Sequence, residues 1–417
     1  MKVTDFAVEA NEKAVLVNGR SYRRPQRPVV VICFDGCDPE YLSAGRAAGV
    51  IPNLVRMMDE GFHSVAQAAM PTFTNPNNVA IACGAPPAVT GVAGNYYLDR
   101  ATGREVMVLD GHQMRAETIF AGFSAVGVPV TIVTAKDKLL RALARNHEGI
   151  ALSAEAPEHA ADVVGAAAGL TAPDKYSADL SLFVLDAGVA LLEQARFEIA
   201  YLSLSDFVQH KFAPAEAGAL EFMAAVDHRI GRLLAAGATV GIVADHGMHD
   251  MADAEGKPRV VYVQDLLEAR FGQGSVRVIC PITDPFVRHH ASLGGFVRVY
   301  IKNAALDAEA VRAAVAALDG VGEALLAEAA CSRFELPAEG EADVVVVADL
   351  GVALGATATE HDLTALAGRR LRSHGGTAEQ PVPFIVSRPL TAAYAARAAE
   401  RLRNFDIFDF TINGVQP

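Results

Sequence analysis

Apolar residues along this chain fall into two patterns. The first is the unbroken run. Pro28-Val29-Val30-Val31-Ile32-Cys33-Phe34 is β-branched almost throughout and stops at Asp35-Gly36. Residues 197–204 stop at Ser205-Asp206, and residues 239–244 stop at Asp245-His246-Gly247. Residues 128–133 end at Thr134, and 383–386 form a further short run. Runs without alternation mark strands buried on both faces. The second pattern is helical: alanine- and leucine-rich stretches such as 182–194 and 219–234 separate the runs. Strand–helix alternation of this kind predicts an α/β fold, a mostly parallel central sheet with helices on both faces. Ligands bind such sheets outside the carboxyl ends of the strands, and here three of those ends carry an acid.

Residues 1–27 read as a lead-in, with a strand at 15–17 and a turn at Asn18-Gly19. Residues 255–358 differ from the rest. Strand-like 277–279, 295–301 and 343–347 and a helix over 307–317 end in no ligand-type residue. The expected division is a catalytic core of 1–254 plus 359–417, with 255–358 inserted as a smaller α+β cap. Between the first two runs lies Met70-Pro71-Thr72-Phe73-Thr74-Asn75-Pro76, followed by a small-residue stretch to Gly84. Proline suits the first helical turn and threonine suits the position ahead of it. A helix is therefore expected from about Pro76, with Thr74 at its N-terminus, where outward N–H groups favour an anion.

Composition narrows the function. A formal net charge of −13 on 417 residues, with no basic stripe, argues against a nucleic-acid partner. An acidic protein acting on an anion must supply positive charge locally, from metal ions or a few lysines. No apolar run reaches membrane-spanning length. The five cysteines are scattered and mostly sit in apolar runs, and the N-terminus lacks an unbroken apolar signal region, so a reducing cytoplasm is expected.

Asp206 and His210 are four apart, a spacing that puts both on one face of a helical turn. Asp245-His246 closes a buried strand, and His374-Gly375-Gly376 adds a third imidazole in a flexible turn. With Asp35 the inventory is three aspartates and three histidines, enough for two ions with room left for substrate. Mixed imidazole and carboxylate ligation points to Zn²⁺ first, with Mn²⁺ or Fe²⁺ as alternatives. Two such ions form a clamp for in-line displacement at phosphorus.

Phe34-Asp35-Gly36, the segment 71–77, Asp206-x-x-x-His210, Asp245-His246-Gly247-Met248 and the late His374-Gly375 together resemble the alkaline phosphatase superfamily. Within it the chain is similar to the nucleotide pyrophosphatase/phosphodiesterase branch, and closer still to the phosphonoacetate hydrolases, over essentially its whole length. The resemblance implies one metal held by Asp206, His210 and His374. It implies the other held by Asp35, Asp245 and His246, with Thr74 touching it. It further implies Thr74 as nucleophile, with Thr72 the internal alternative, and Asn95 as donor to a phosphoryl oxygen. The implied reaction is hydrolysis of phosphonoacetate to phosphate and acetate through a phosphothreonine.

Lys136 and Lys138 are two apart at the end of an apolar run. On an extended segment they face one side, where two ammonium groups grip the carboxylate of a small phosphonate. His289 is a further candidate contact, with His290, Lys257 and Arg372 beside it as residues without a settled role. His361-Asp362 looks ligand-like and is left without a role beyond closing the fold. The expected partner is the small-molecule phosphonate, with no nucleic acid and no membrane; a homodimer is the assembly to test. The alternatives are a phosphodiesterase, nucleotide pyrophosphatase or phosphomonoesterase using the same two ions, and a non-catalytic metal- or phosphonate-binding protein.

Overall fold

The computed structural model describes residues 14–108, 111–165, 170, 173–174, 177–283, 290–366 and 368–416. The apolar runs form a seven-stranded sheet. Its order is Phe62–Gln67, Pro381–Val386, Thr239–Val243, Val29–Cys33, Ile199–Ser203, Val130–Thr134, Ile150–Ser153. The last five are parallel to one another, and only Pro381–Val386 runs against its neighbours. In the four strands from Thr239–Val243 to Val130–Thr134 every residue is buried, as unbroken apolar runs require. Neither Phe62–Gln67 nor Ile150–Ser153 is foreseen in the sequence. The first mixes polar and apolar residues and the second is only four long, so neither stands out as a run.

Register decides what the strand ends can do. Cys33 lies opposite both Val243 and Ser203, and Ser203 lies opposite Thr134. Four neighbouring strands therefore stop level with one another. Successive side chains on a strand point to opposite faces, and helices cover both. Leu202 packs under Gly188 of the helix Asp179–Glu193, which contacts Ala217–Ala235 on that face. Tyr201, on the other face, packs against Phe120 and Phe408 and reaches Asn78 of the helix Thr74–Cys83.

A second, antiparallel sheet has the order Val276–Ile279, Phe296–Ile301, Val344–Ala348, Val321–Leu326. It encloses a separate apolar cluster with Val263, Val278, Phe296 and Val345, which Met70 and Phe73 join from the main chain segment before Thr74. The helix expected over 307–317 is Ala308–Ala316, with the Asp307 side chain accepting from Ala310 N–H at its start. A hairpin, Tyr96–Asp99 with Arg104–Met107, also packs on this sheet through Tyr96 and Leu98. Near the N-terminus Val15–Val17 pairs with Arg20–Tyr22 across Asn18-Gly19, both in the left-handed region.

Candidate functional site

Beyond the level strand ends, each chain segment sets down one charged residue within two or three positions. In sheet order these are Asp245, Asp35, Asp206 and Lys136. Strands about 4.8 Å apart bring the three carboxylates into a row spanning roughly 10 Å. All three are buried. Gly36, in the left-handed region, turns the chain away directly after Asp35; a Cβ there would stand 3.1 Å from the Asp206 Cβ.

Three histidines face this row with a shared device. Nδ1 of His246, His210 and His374 lies 2.9, 2.7 and 2.7 Å from the carbonyl oxygens of Gly247, Arg372 and Thr72. A carbonyl can only accept, so each Nδ1 carries the proton and each Nε2 keeps a free lone pair, the orientation a metal ligand needs. Nε2 of His210 is 2.9 Å from Asp206 Oδ2, and Nε2 of His374 is 3.8 Å from the same oxygen. Nε2 of His246 is 3.3 Å from Asp35 and 3.7 Å from Asp245. Donor atoms of Asp35, Asp245 and His246 lie within 4.8 Å of one another, as do those of Asp206, His246 and His374. His246 thus belongs by distance to both groups, where the sequence reading gives it to one. Its ring stacks on His374 with centroids 3.5 Å apart, so the donors form one continuous cluster.

The donor set fits divalent ions. Asp35 is fully buried, and among the described residues neither of its oxygens has a hydrogen-bond partner. Burial, then the charges of Asp206 and Asp245, push its carboxyl well above the usual range. Burial also pushes Asp206 up, but Lys136, His210 and His374 outweigh it and hold that carboxyl well below the usual range. Burial and the neighbouring His246 and His210 drive His374 well down, keeping it neutral. Three clustered carboxylates without enough donors, faced by three imidazoles that turn Nε2 toward them, fit divalent cations.

Thr74 corrects one expectation. The helix is Thr74–Cys83, beginning two residues earlier than expected, and the capping position falls on Phe73. Thr74 is no cap. Its hydroxyl oxygen lies 3.2 Å from His246 Nε2, inside the cluster. Thr72, by contrast, donates to the Gly376 carbonyl and is fully buried away from reagent.

The lysines are also placed differently from the extended pair expected. Lys136 is the last extended residue, and Lys138 already sits in the first turn of the helix Asp137–Leu143. Lys136 Nζ reaches Asp206 at 3.5 Å and Asp35 at 3.9 Å. Lys138 lines a recess with Asn75, the neighbour of Thr74, and with Val79 and Val92. Asn95 is buried; its backbone N–H donates to the Pro281 carbonyl, and among the described residues its side-chain oxygen has no hydrogen-bond partner. His289 lies outside the described residues. His290 is buried with its ring stacked on His210, centroids 5.4 Å apart, and burial and His210 push its pKa down to about 3. Lys257 is exposed in a turn where its own N–H donates to Asp253. His361 takes a hydrogen bond from Ala356 N–H and gives one to the Ala291 carbonyl, which makes it a backbone brace.

Three supporting side chains escaped the sequence reading in their present roles. Arg372 is buried and donates to the carbonyls of Gln209 and Met248 and to the Tyr41 hydroxyl, so it ties together the segments that carry His210 and His246. Glu379 accepts from Gly376 N–H and faces His249 Nδ1 at 2.9 Å, bracing the turn after His374. Asn78 is the third. Arginine and glutamate have no local signal for such roles; Asn78, four residues after Thr74 on one helix face, has one.

A family model, type I phosphodiesterase / nucleotide pyrophosphatase, matches residues 29–377. The chain belongs to this family. Among solved structures it is similar to phosphonoacetate hydrolase from Sinorhizobium meliloti 1021, crystallised in complex with phosphonoacetate and with phosphonoformate. Identity is 42%, covering 97% of this chain and 99% of that one, with a TM-score of 0.91. Murine ectonucleotide pyrophosphatase / phosphodiesterase 5 shares the fold at 16% identity, covering 94% of this chain and 96% of that one, with a TM-score of 0.64.

Proposed function

We propose that this protein hydrolyses phosphonoacetate to phosphate and acetate through a phosphothreonine at Thr74. The observation that carries the reading is the convergence of Asp35, Asp206, Asp245, His210, His246 and His374 on the Thr74 hydroxyl, with the Lys136 ammonium in the same place. The phosphonoacetate bound by the 42%-identical relative supports the choice of substrate. Those six residues would hold two divalent ions, Zn²⁺ first by donor type and Mn²⁺ or Fe²⁺ otherwise. When bound, the ions offset the carboxylate charge, polarise the phosphonate oxygens and favour the ionised Thr74 hydroxyl.

The chain's own residues do the rest. Thr74 stands in the first turn of its helix, where unpaired N–H groups favour the negative charge of its alkoxide. The alkoxide attacks phosphorus; the Oγ–P bond forms as the C–P bond breaks. The electron pair goes to carbon and delocalises into the adjacent carboxylate as an ene-diolate, and protonation by water gives acetate. A second water then cleaves the phosphothreonine, releasing phosphate and restoring the hydroxyl. Lys136 and Lys138 bind the carboxylate and stabilise the ene-diolate, and Asn95 donates to a phosphoryl oxygen.

Residues 255–358 serve as a cap over the core of 1–254 and 359–417, a division supported by their separate apolar cluster. A cytoplasmic location is in keeping with five free cysteines, four of them buried; among the described residues no helix is long and apolar enough to cross a membrane. The competing reading, a phosphodiesterase, draws on the family description. Steady-state kinetics separate the two: phosphonoacetate should give the higher kcat/KM, with equal phosphate and acetate. A faster nitrophenyl diester and no acetate would reverse the assignment.

A further inference from the structure

Asn78 is fully buried and makes four hydrogen bonds, which uses the whole capacity of its amide. Its Oδ1 accepts from the Tyr201 hydroxyl at 2.7 Å and from the Ser203 hydroxyl at 2.8 Å. Its Nδ2 donates to Asp245 Oδ2 at 3.0 Å and to the Thr74 carbonyl, also at 3.0 Å. The orientation is forced. A carboxylate and a carbonyl can only accept, so the NH₂ must face Asp245 and Thr74; the hydroxyls, able to donate, take the other side. The two N–H bonds of one planar group diverge at a fixed angle. Through them a single rigid unit sets the position of the Thr74 backbone relative to the Asp245 carboxylate. Asp245 Oδ1 is held separately, by the N–H groups of Gly36 and His246.

We propose that Asn78 is a positioning residue that locks the Thr74 turn to Asp245, so that the geometry of the metal cluster and the aim of the hydroxyl are set together. Tyr201 and Ser203 anchor the amide to the strand Ile199–Ser203, the one that leads to Asp206. One side chain therefore links the hydroxyl-bearing helix to two of the three acid-bearing strand ends, those of Asp245 and Asp206. The inference rests on the reading of Asp245 as a metal ligand and Thr74 as nucleophile.

The test compares Asn78→Asp with Tyr201→Phe. Asn78→Asp keeps the acceptor for Tyr201 and Ser203 but turns an oxygen toward Asp245 and the Thr74 carbonyl. Tyr201→Phe removes one anchor and leaves both N–H donors. Supporting groups behind metal ligands typically matter by about 10–100-fold in affinity or activity. Asn78→Asp should lower kcat by about that factor with KM little changed, and weaken one of two Zn²⁺ binding events in calorimetry of the chelated protein. Tyr201→Phe should lose less than about fivefold in kcat and keep both binding events. Asn78→Ser, smaller and open to water, should show the Asn78→Asp pattern in weaker form, and serves if Asn78→Asp does not fold. Unchanged Zn²⁺ binding and kcat in Asn78→Ser, or equal losses in Tyr201→Phe, would overturn the proposal. A wild-type protein that binds no pair of ions would instead overturn the site assignment beneath it.

Discussion

The two sheets of this protein both bury charge, and they treat it in opposite ways. In the antiparallel sheet Arg298 and Glu341 are buried together in a two-point pair, at 2.6 and 2.8 Å. Each charge there has its partner. In the parallel sheet Asp35 is more deeply buried, and among the described residues neither oxygen receives a hydrogen bond. A buried pair of opposite charges is a packing solution, whereas a buried carboxyl with no hydrogen-bond donor either stays neutral or calls for a cation.

The strongest way to break the contrast is at the hydroxyl. Thr74→Ala should reduce phosphate release by about 10⁴-fold or more while metal content, read by elemental analysis, stays at the wild-type level. Retained turnover would exclude Thr74 as nucleophile. Next come the two lysines. Lys136→Ala or Lys138→Ala should lower kcat/KM for phosphonoacetate by about 10²–10³, and far less for a nitrophenyl phosphate ester. Equal losses on both substrates would remove the lysines from carboxylate recognition.

On the antiparallel side, Glu341→Gln leaves Arg298 buried and half-paired. Chemical denaturation should show a loss of about 3 kcal/mol, with kcat of the folded enzyme within about threefold of wild type. Asp35→Asn should do the reverse. Burial and two neighbouring acids raise the Asp35 pKa in the folded chain. Its penalty is therefore absent below the unfolded carboxylate pKa and grows as pH rises toward the folded one. The metal-free variant should gain about 1–3 kcal/mol at neutral pH and nothing in acid, while losing metal binding. A metal-free Asp35→Asn that is less stable at pH 7 would mean that the attraction of Lys136, 3.9 Å from Asp35, outweighs the cost of burial. The smallest effect belongs to exposed Lys257, whose replacement by alanine should shift stability by less than about 0.5 kcal/mol and leave activity alone.

Much of the parallel sheet was legible because fully buried strands leave no alternation to misread. Residues 28–34 and 239–244 could be little else, and the acids that ended them were out of place for packing. The edge strand Phe62–Gln67, half exposed and mixed in polarity, carries no such signature. Nor does the hairpin Tyr96–Met107, whose apolar residues meet the second sheet only in three dimensions. At the candidate site the residue types were readable, but side-chain direction was not. Thr74 reads as a cap until the helix is seen to start on it. Lys138 reads as extended until Asp137 opens a helix beneath it. Arg372, left without a settled role, turns inward and donates to three oxygens of neighbouring segments.

The central claim is that the buried acids and imidazoles beside Thr74 are completed by two cations and are inert without them. The most direct test titrates Zn²⁺ into exhaustively chelated protein while following phosphate release from phosphonoacetate. The account predicts no release at the start and a rise that levels off at two equivalents. Undiminished turnover by the chelated protein, or full activity at a single equivalent, would contradict it.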